Sequence, residues 1–186
     1  MTKYIATLAL ALLVSFGLAQ TVDGTIGADE YASSASHEES GAEMHWTVMD
    51  DTLYFAMTID SPGWAGIGWA AEQTRNKRGF DQLIFTVQDG EAVALDMYQD
   101  GARGAPAMDE AEGGSNSLTE FAGAHEGETW TVEFARPLDT GEDVDVAIMP
   151  GEEMIFDLAV ADVMDVERRH DRSSRGGAFY IDPFVF

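Results

Sequence analysis

Short runs of alternating apolar and polar residues, each cut off by glycine or aspartate, recur along this chain and leave room for little except strands. His45-Trp46-Thr47-Val48 and Leu53-Tyr54-Phe55-Ala56-Met57-Thr58-Ile59 flank the polar pair Asp50-Asp51, the pattern of a hairpin from Met44 to Ile59. Further strand candidates are Trp64 to Ala70, Gln82 to Gln88, Ala92 to Tyr98, Thr129 to Phe134, Met154 to Val160 and Phe179 to Ile181. Asp89-Gly90, a glycine-rich stretch from Gly101 to Gly114, and Asp139-Thr140-Gly141 separate them. Gly66 and Gly68 inside one run mark a strand whose backbone another group approaches closely. No window carries the periodicity of an amphipathic helix of useful length. Seven or eight short strands with frequent turns predict an all-β fold, an antiparallel β-sandwich.

At 186 residues the chain has the length of one domain, and 4 Trp, 5 Tyr and 10 Phe within a 45% hydrophobic composition supply a core. Met1 to Lys3 is a basic start, Tyr4 to Phe16 an uncharged apolar run, and Gly17-Leu18-Ala19 offers the small residues of a cleavage site. Residues 1–19 therefore read as a secretory signal peptide, too short in its apolar part for a membrane span of about 20 residues. The mature chain is expected to begin near Gln20, to form one domain over 20–186, and to be secreted or periplasmic, with no transmembrane segment. Cysteine is absent, which removes disulfides, iron–sulfur clusters, thiolate metal sites, a cysteine nucleophile and a lipoprotein anchor together.

Ten Lys and Arg face 34 Asp and Glu, for a net charge of −24; cleavage would remove Lys3 and no acid. Such a surface repels phosphate backbones and anionic headgroups, so nucleic acid is not an expected partner. The charge itself reads first as solvation, as in proteins of salty habitats. With so many carboxylates a chance pair carries no information, and nearly all are expected on solvated faces. His37, His45, His125 and His170 form no i, i+2 or i, i+4 pair, and no Gly-x-Ser-x-Gly elbow occurs, so nothing points to an enzyme. The cations are clustered: Arg75, Lys77 and Arg78 form one group, and Arg168, Arg169, Arg172 and Arg175 another. Two such loops either face something anionic or pair with nearby acids such as Glu72, Asp162, Asp165 and Glu167.

Five segments in order resemble the DOMON domain family. They are Trp64-Ala-Gly-Ile-Gly-Trp69, Gly79-Phe80-Asp81 before an apolar strand, Val93-Ala-Leu-Asp96-Met-Tyr98, Thr129-Trp-Thr-Val-Glu-Phe134-Ala-Arg136-Pro137-Leu138, and His170-Asp-Arg-Ser-Ser-Arg175-Gly176. The similarity runs from Val22-Asp23-Gly24 to the C-terminus. It implies an immunoglobulin-like antiparallel β-sandwich of roughly ten or eleven strands. Members bind heme b or, in other cases, sugars, are extracellular, and occur beside redox enzymes or membrane cytochromes.

In the heme-binding branch the iron is held by a methionine in the loop before the Asp81-type residue and by the histidine of His-x-x-x-x-Arg-Gly. His170 matches the latter; the methionine position holds Lys77. Related heme subunits of periplasmic molybdenum dehydrogenases use a Met and Lys pair, and a lysine amine ligates iron once it loses its proton. The resemblance thus names His170 and Lys77 as axial candidates; Met108 in the glycine-rich stretch is a substitute ligand, and the charge clusters predict that Arg75 or Arg78 and Arg172 or Arg175 border the same pocket mouth and meet the propionates. Trp64 and Trp69 are core residues or a stacking floor for a porphyrin or a sugar; Trp46 and Trp130 share that choice. Met44, Met57 and Met97 read as core fillers. The leading expectation is a non-catalytic heme b module serving electron transfer with a membrane cytochrome or an extracytoplasmic redox enzyme. The rival is a carbohydrate-binding module without a cofactor.

Overall fold

The structure is a computed structural model that describes residues 20–101, 105–168, 170 and 178–186. The expected signal peptide at 1–19 lies outside the described residues. Eleven strands occur among them: β1 (Ser33–His37), β2 (Ala42–Met49), β3 (Thr52–Asp60), β4 (Ala65–Ala70), β5 (Phe80–Gln88), β6 (Glu91–Gln99), β7 (Ala107–Met108), β8 (Glu120–Glu126), β9 (Thr129–Pro137), β10 (Glu153–Val160) and β11 (Ala178–Val185). A 3₁₀ turn at Arg75–Lys77 and a four-residue helix, α1 (Asp109–Glu112), interrupt them.

The strands form two antiparallel sheets, with orders β1-β2-β3-β9-β8 and β11-β10-β4-β5-β6-β7, the antiparallel sandwich expected from the alternating runs and, in its immunoglobulin-like form, from the family resemblance. In β3, Leu53, Phe55, Met57 and Ile59 face inward and pair across the sheet with Arg136, Phe134, Val132 and Trp130 of β9. The second sheet meets them with Ile67 and Trp69 of β4, Leu83 and Phe85 of β5, and Phe156 and Leu158 of β10, all buried in one cluster. Each such side chain contributes about 1.5–3 kcal/mol by leaving water. Trp46, Trp130, Met44 and Met57 belong to this core, as their strand positions predict.

Two carboxylates are built into the sandwich. Arg136, fully buried on the inner face of β9, crosses to Asp81 of β5 with Nη1 2.7 Å from Oδ2, so an ion pair ties the two sheets. On the outer face of the first sheet, Glu133 is also fully buried. Its Oε2 accepts the main-chain N–H groups of Asp23, Gly24 and Thr25 at 3.0, 2.6 and 3.1 Å, and its Oε1 accepts the Tyr31 hydroxyl at 2.7 Å. The Val22-Asp23-Gly24 segment is thereby a cradle of three donors that fastens the start of the domain, with Gly24 at φ 86°. Burial and the Glu133 carboxylate push the Tyr31 hydroxyl upward in pKa.

The outer face of the second sheet carries a smaller apolar cluster of Trp64, Ile84, Met97, Ala159 and Ala161. A sandwich needs only its inner faces buried, so a second buried face marks a place where something else is covered.

Candidate functional site

Alternation along the strands sorts the second sheet into two chemistries. In β5, Asp81, Leu83 and Phe85 point into the sandwich, while Gln82 and Ile84 point outward; Gly66 and Gly68 of β4 and Asp157 and Ala159 of β10 share that outward face. The glycines matter because of what lies over them. A Cβ at Gly68 would stand 2.8 Å from Asp157 Oδ1 and 2.9 Å from Gln82 Cγ, so only glycine lets these two side chains meet across the strand.

Asp157 sits on that glycine with its side chain 1% exposed. Its Oδ2 accepts Lys77 Nζ at 3.2 Å and Gln82 Nε2 at 3.1 Å. Burial pushes the Asp157 carboxyl up, against the opposing pull of the Lys77 ammonium. Lys77 is delivered by an unusual turn in which Asn76 and Lys77 both have φ 57°. Left-handed backbone costs an ordinary L-residue about 1–2 kcal/mol, and Asn tolerates it best. The Asn76 amide anchors the turn by donating to the Gly101 carbonyl at 3.0 Å. Consecutive strained residues at the edge of a cleft are the kind of local cost that binding sites carry.

On the other side of Gly66, the Trp64 indole donates Nε1–H to the Arg168 carbonyl at 3.0 Å and stands edge-on to the His170 ring, centroids 6.2 Å apart and planes at 81°. These groups enclose one pocket of about 230 Å³, lined among others by Trp64, Gly66, Lys77, Gln82, Asp157 and His170. That volume is below the about 300–1,000 Å³ of sites that bury a drug-sized ligand, so the pocket takes one part of a larger ligand. Its chemistry is an imidazole, an amine and a carboxylate set against an indole and an apolar floor.

The structure thus brings Lys77, His170 and Trp64 to one cavity. Trp69 it places elsewhere: the residue is fully buried inside the sandwich, its Nε1 donating to Asp81 Oδ2 at 3.0 Å and the Arg136 guanidinium 4.9 Å above its ring. The reason is parity, since Trp69 and Gly68 point to opposite faces of β4, and a stacking floor at Trp69 is thereby corrected to a core residue. Arg75 and Arg78 are exposed beside the turn and do not line the pocket. Arg172 and Arg175 lie outside the described residues. Met108 and Met97 pack with the outer apolar cluster. His125 bonds through Nε2 to the Ser61 carbonyl at 2.8 Å and does not line the pocket either.

Sequence reading missed Asp157 and Gln82. The available signal was a carboxylate and an amide at outward positions of two otherwise apolar strands, Met154 to Val160 and Gln82 to Gln88, beside a strand with two glycines.

The DOMON domain family model matches residues 38–160. No curated protein sequence matches the chain. Among solved structures, the cytochrome domain of Myriococcum thermophilum cellobiose dehydrogenase aligns with a TM-score of 0.53 at 8% identity, over 81% of this chain and 86% of that one. The cytochrome b domain of pyranose dehydrogenase from Coprinopsis cinerea aligns at 0.51 and 10% identity, over 81% and 80%. A family 9 carbohydrate-binding module from Caldicellulosiruptor kristjanssonii, in complex with glucose, aligns at 0.39 and 13% identity over 81% and 78%, too low to bear on the fold.

Proposed function

This chain belongs to the DOMON domain family, and from that premise we propose that it is an extracytoplasmic binding module whose outer-face pocket holds heme b for electron transfer. The observation that carries the reading is the meeting of Lys77 and His170 in one pocket on the outer face of the second sheet. The donor chemistry fits the group, of which a pocket of this size would take one part. An imidazole and an amine are two nitrogen donors that heme iron accepts, and both line the pocket beside the Trp64 indole.

His170 would hold the iron on one side, its ring steadied by the edge-on contact with Trp64. Lys77 would hold it on the other, and for that its Nζ must give up a proton. Asp157 Oδ2, 3.2 Å away, is the acceptor in place, and its burial favours the protonated form that the transfer produces. Bound heme supplies reversible one-electron chemistry, while the chain sets ligation and burial. Arg75 and Arg78, which stand outside the pocket lining, and Arg172 and Arg175 are proposed to meet propionates that would reach beyond the pocket. The expected partner is a membrane cytochrome or an extracytoplasmic redox enzyme, with residues 1–19 as the export signal. No helix among the described residues is long and apolar enough to cross a membrane. The two dehydrogenases in which the similar cytochrome domains occur support that setting.

One observation favours a second reading. Asp157, Gln82, Asn76 and Gln99 place carboxylate and amide groups beside the Trp64 indole, the combination a sugar ring needs for hydrogen bonds and stacking. Titration of purified mature protein with hemin separates the two. Heme binding predicts a stoichiometric Soret band, altered in shape by Lys77→Met and by His170→Ala. Absence of a Soret band, with tryptophan fluorescence responding to a monosaccharide, would establish the sugar reading in its place.

A further inference from the structure

Four aspartates gather where β5, β6, the start of α1 and the connection after β9 meet, on the inner side of the sandwich and away from the Lys77 pocket. Asp81, Asp96 and Asp145 each offer one oxygen, and the three atoms lie within 4.8 Å of one another. Their side chains are sealed from solvent: Asp81 and Asp96 are 0% exposed and the Asp145 side chain 2%. Asp109, which stands outside this triad, is itself 0% exposed, and neither of its carboxylate oxygens has a hydrogen-bond partner.

The oxygens divide into two kinds. Asp81 Oδ2 is fully used, accepting Arg136 Nη1 at 2.7 Å, Trp69 Nε1 at 3.0 Å and the Val146 N–H at 3.0 Å. Asp96 Oδ2 accepts the Ser117 N–H at 2.6 Å. What remains is Asp81 Oδ1, Asp96 Oδ1, both oxygens of Asp109 and both of Asp145, all buried without a hydrogen bond. Four such atoms on the triad, and two more on Asp109, which feels the charges of all three, are far outside the ordinary tolerance for buried polar groups, each of which costs about 1–3 kcal/mol when left unmade. The guanidinium of Arg136, also 3.9 Å from Asp145 Oδ1, is one positive charge against four carboxyls.

We propose that Asp81, Asp96, Asp109 and Asp145 form a calcium site. The donors are all hard oxygens, six of them lack partners, and Ca²⁺ takes 6–8 oxygens at about 2.3–2.6 Å in irregular geometry. Oxygens across such an ion stand up to about 5 Å apart, which the 4.8 Å spread of the triad matches. Mg²⁺ would need a tight octahedron that retains several waters, and a closed all-carboxylate site does not provide for them. The Oδ2 bonds of Asp81 and Asp96 hold their carboxylates and leave Oδ1 of each available to the ion. The ion would join β5 and β6 to the 109–117 and 138–148 connections, which otherwise meet the sheet through few hydrogen bonds. It stands whether heme, sugar or nothing occupies the outer pocket.

The test uses the mature chain stripped with EDTA. Calcium is expected to raise the melting temperature by several degrees with a midpoint in the range of about 10⁻⁴–10⁻³ M usual for extracellular modules, and equal Mg²⁺ or Na⁺ to do far less. Tb³⁺ should luminesce on excitation near 280 nm, because Trp69 touches Asp81 and transfers energy to an ion there. Asp109→Asn should lose both responses. Because that variant could fail to fold, the wild-type comparison decides alone. Identical melts with and without calcium, and no Tb³⁺ emission from the folded wild type, would overturn the site in favour of a cluster that holds protons.

Discussion

Lys77 Nζ lies 3.2 Å from Asp157 Oδ2, yet the lysine side chain is 21% exposed and the aspartate 1%, so the two depend on each other unequally. Removing the lysine strands a buried carboxylate; removing the carboxylate leaves an amine that water can reach. Lys77→Met should therefore cost about 1–3 kcal/mol in urea unfolding, and Asp157→Asn, which keeps a polar group toward Gln82, clearly less. Equal costs would mean that the pair is held by something other than the burial of Asp157.

Arg136→Met leaves Asp81 buried without its counterion, and breaking such a pair costs about 3–5 kcal/mol. Adding Asp81→Asn should recover part of the loss, since an amide needs no counterion. A double-mutant cycle by chemical denaturation reads the coupling directly.

Stability in EDTA should fall as pH rises. Burial, against the pull of Arg136, raises the Asp81 carboxyl to about 6; burial together with the charges of Asp96, Asp81 and Asp145 raises Asp109 to about 8. A carboxyl whose folded pKa exceeds its unfolded one near 3.8 stabilises fully below that value, and the contribution is lost as pH climbs through the folded pKa. The melting temperature is expected to decline between about pH 4 and pH 8, and Asp109→Asn to flatten the upper part of the decline. A profile that rises over this range would contradict the burial of these groups.

Gly68→Ala places a Cβ 2.8 Å from Asp157 Oδ1 and 3.0 Å from the Asp81 carbonyl. The carbonyl cannot swing away as a side chain does, so strain of about 1–3 kcal/mol is expected. Ligand binding at the outer pocket should weaken beyond what the melting shift explains, because Asp157 and Gln82 are displaced together. Gly41→Ala meets nothing within 4 Å and serves as the comparison, its strain being only that of φ 71°.

What the sequence made legible follows from how many neighbours a strand has. β3 lies inside its sheet, buries Leu53, Phe55, Met57 and Ile59 in the core and shows them as alternation, while β5, buried on both faces, shows an apolar run from Leu83 to Phe85. β1 (Ser33–His37), β7 (Ala107–Met108) and β8 (Glu120–Glu126) went unrecognised, and all three are edges with a single hydrogen-bonded neighbour. Their residues are half-buried or exposed, so alternation is faint: Ser-Ser-Ala-Ser-His carries no apolar stripe. In the pocket, parity of the Trp64 to Ala70 run was enough to put Trp69 inside and Gly68 outside, given the direction of β4, but nothing local fixes that direction. Lys77 and His170 are separated by most of the fold, and only the family pattern joined them. The four aspartates were invisible among 34 acids, because a buried carboxylate and a solvated one are spelled alike. Asp96 within Val93 to Tyr98 was the faint exception, an acid facing inward with Ala94 and opposite Leu83.

The outer-face position of the pocket fixes an order of assembly. The core between the sheets is filled by side chains, Phe55, Phe134, Trp69 and Leu158 among them. On the proposed reading, loading would therefore be a late event on a finished domain. Were such a chain exported empty, it would fold first and meet its ligand afterwards.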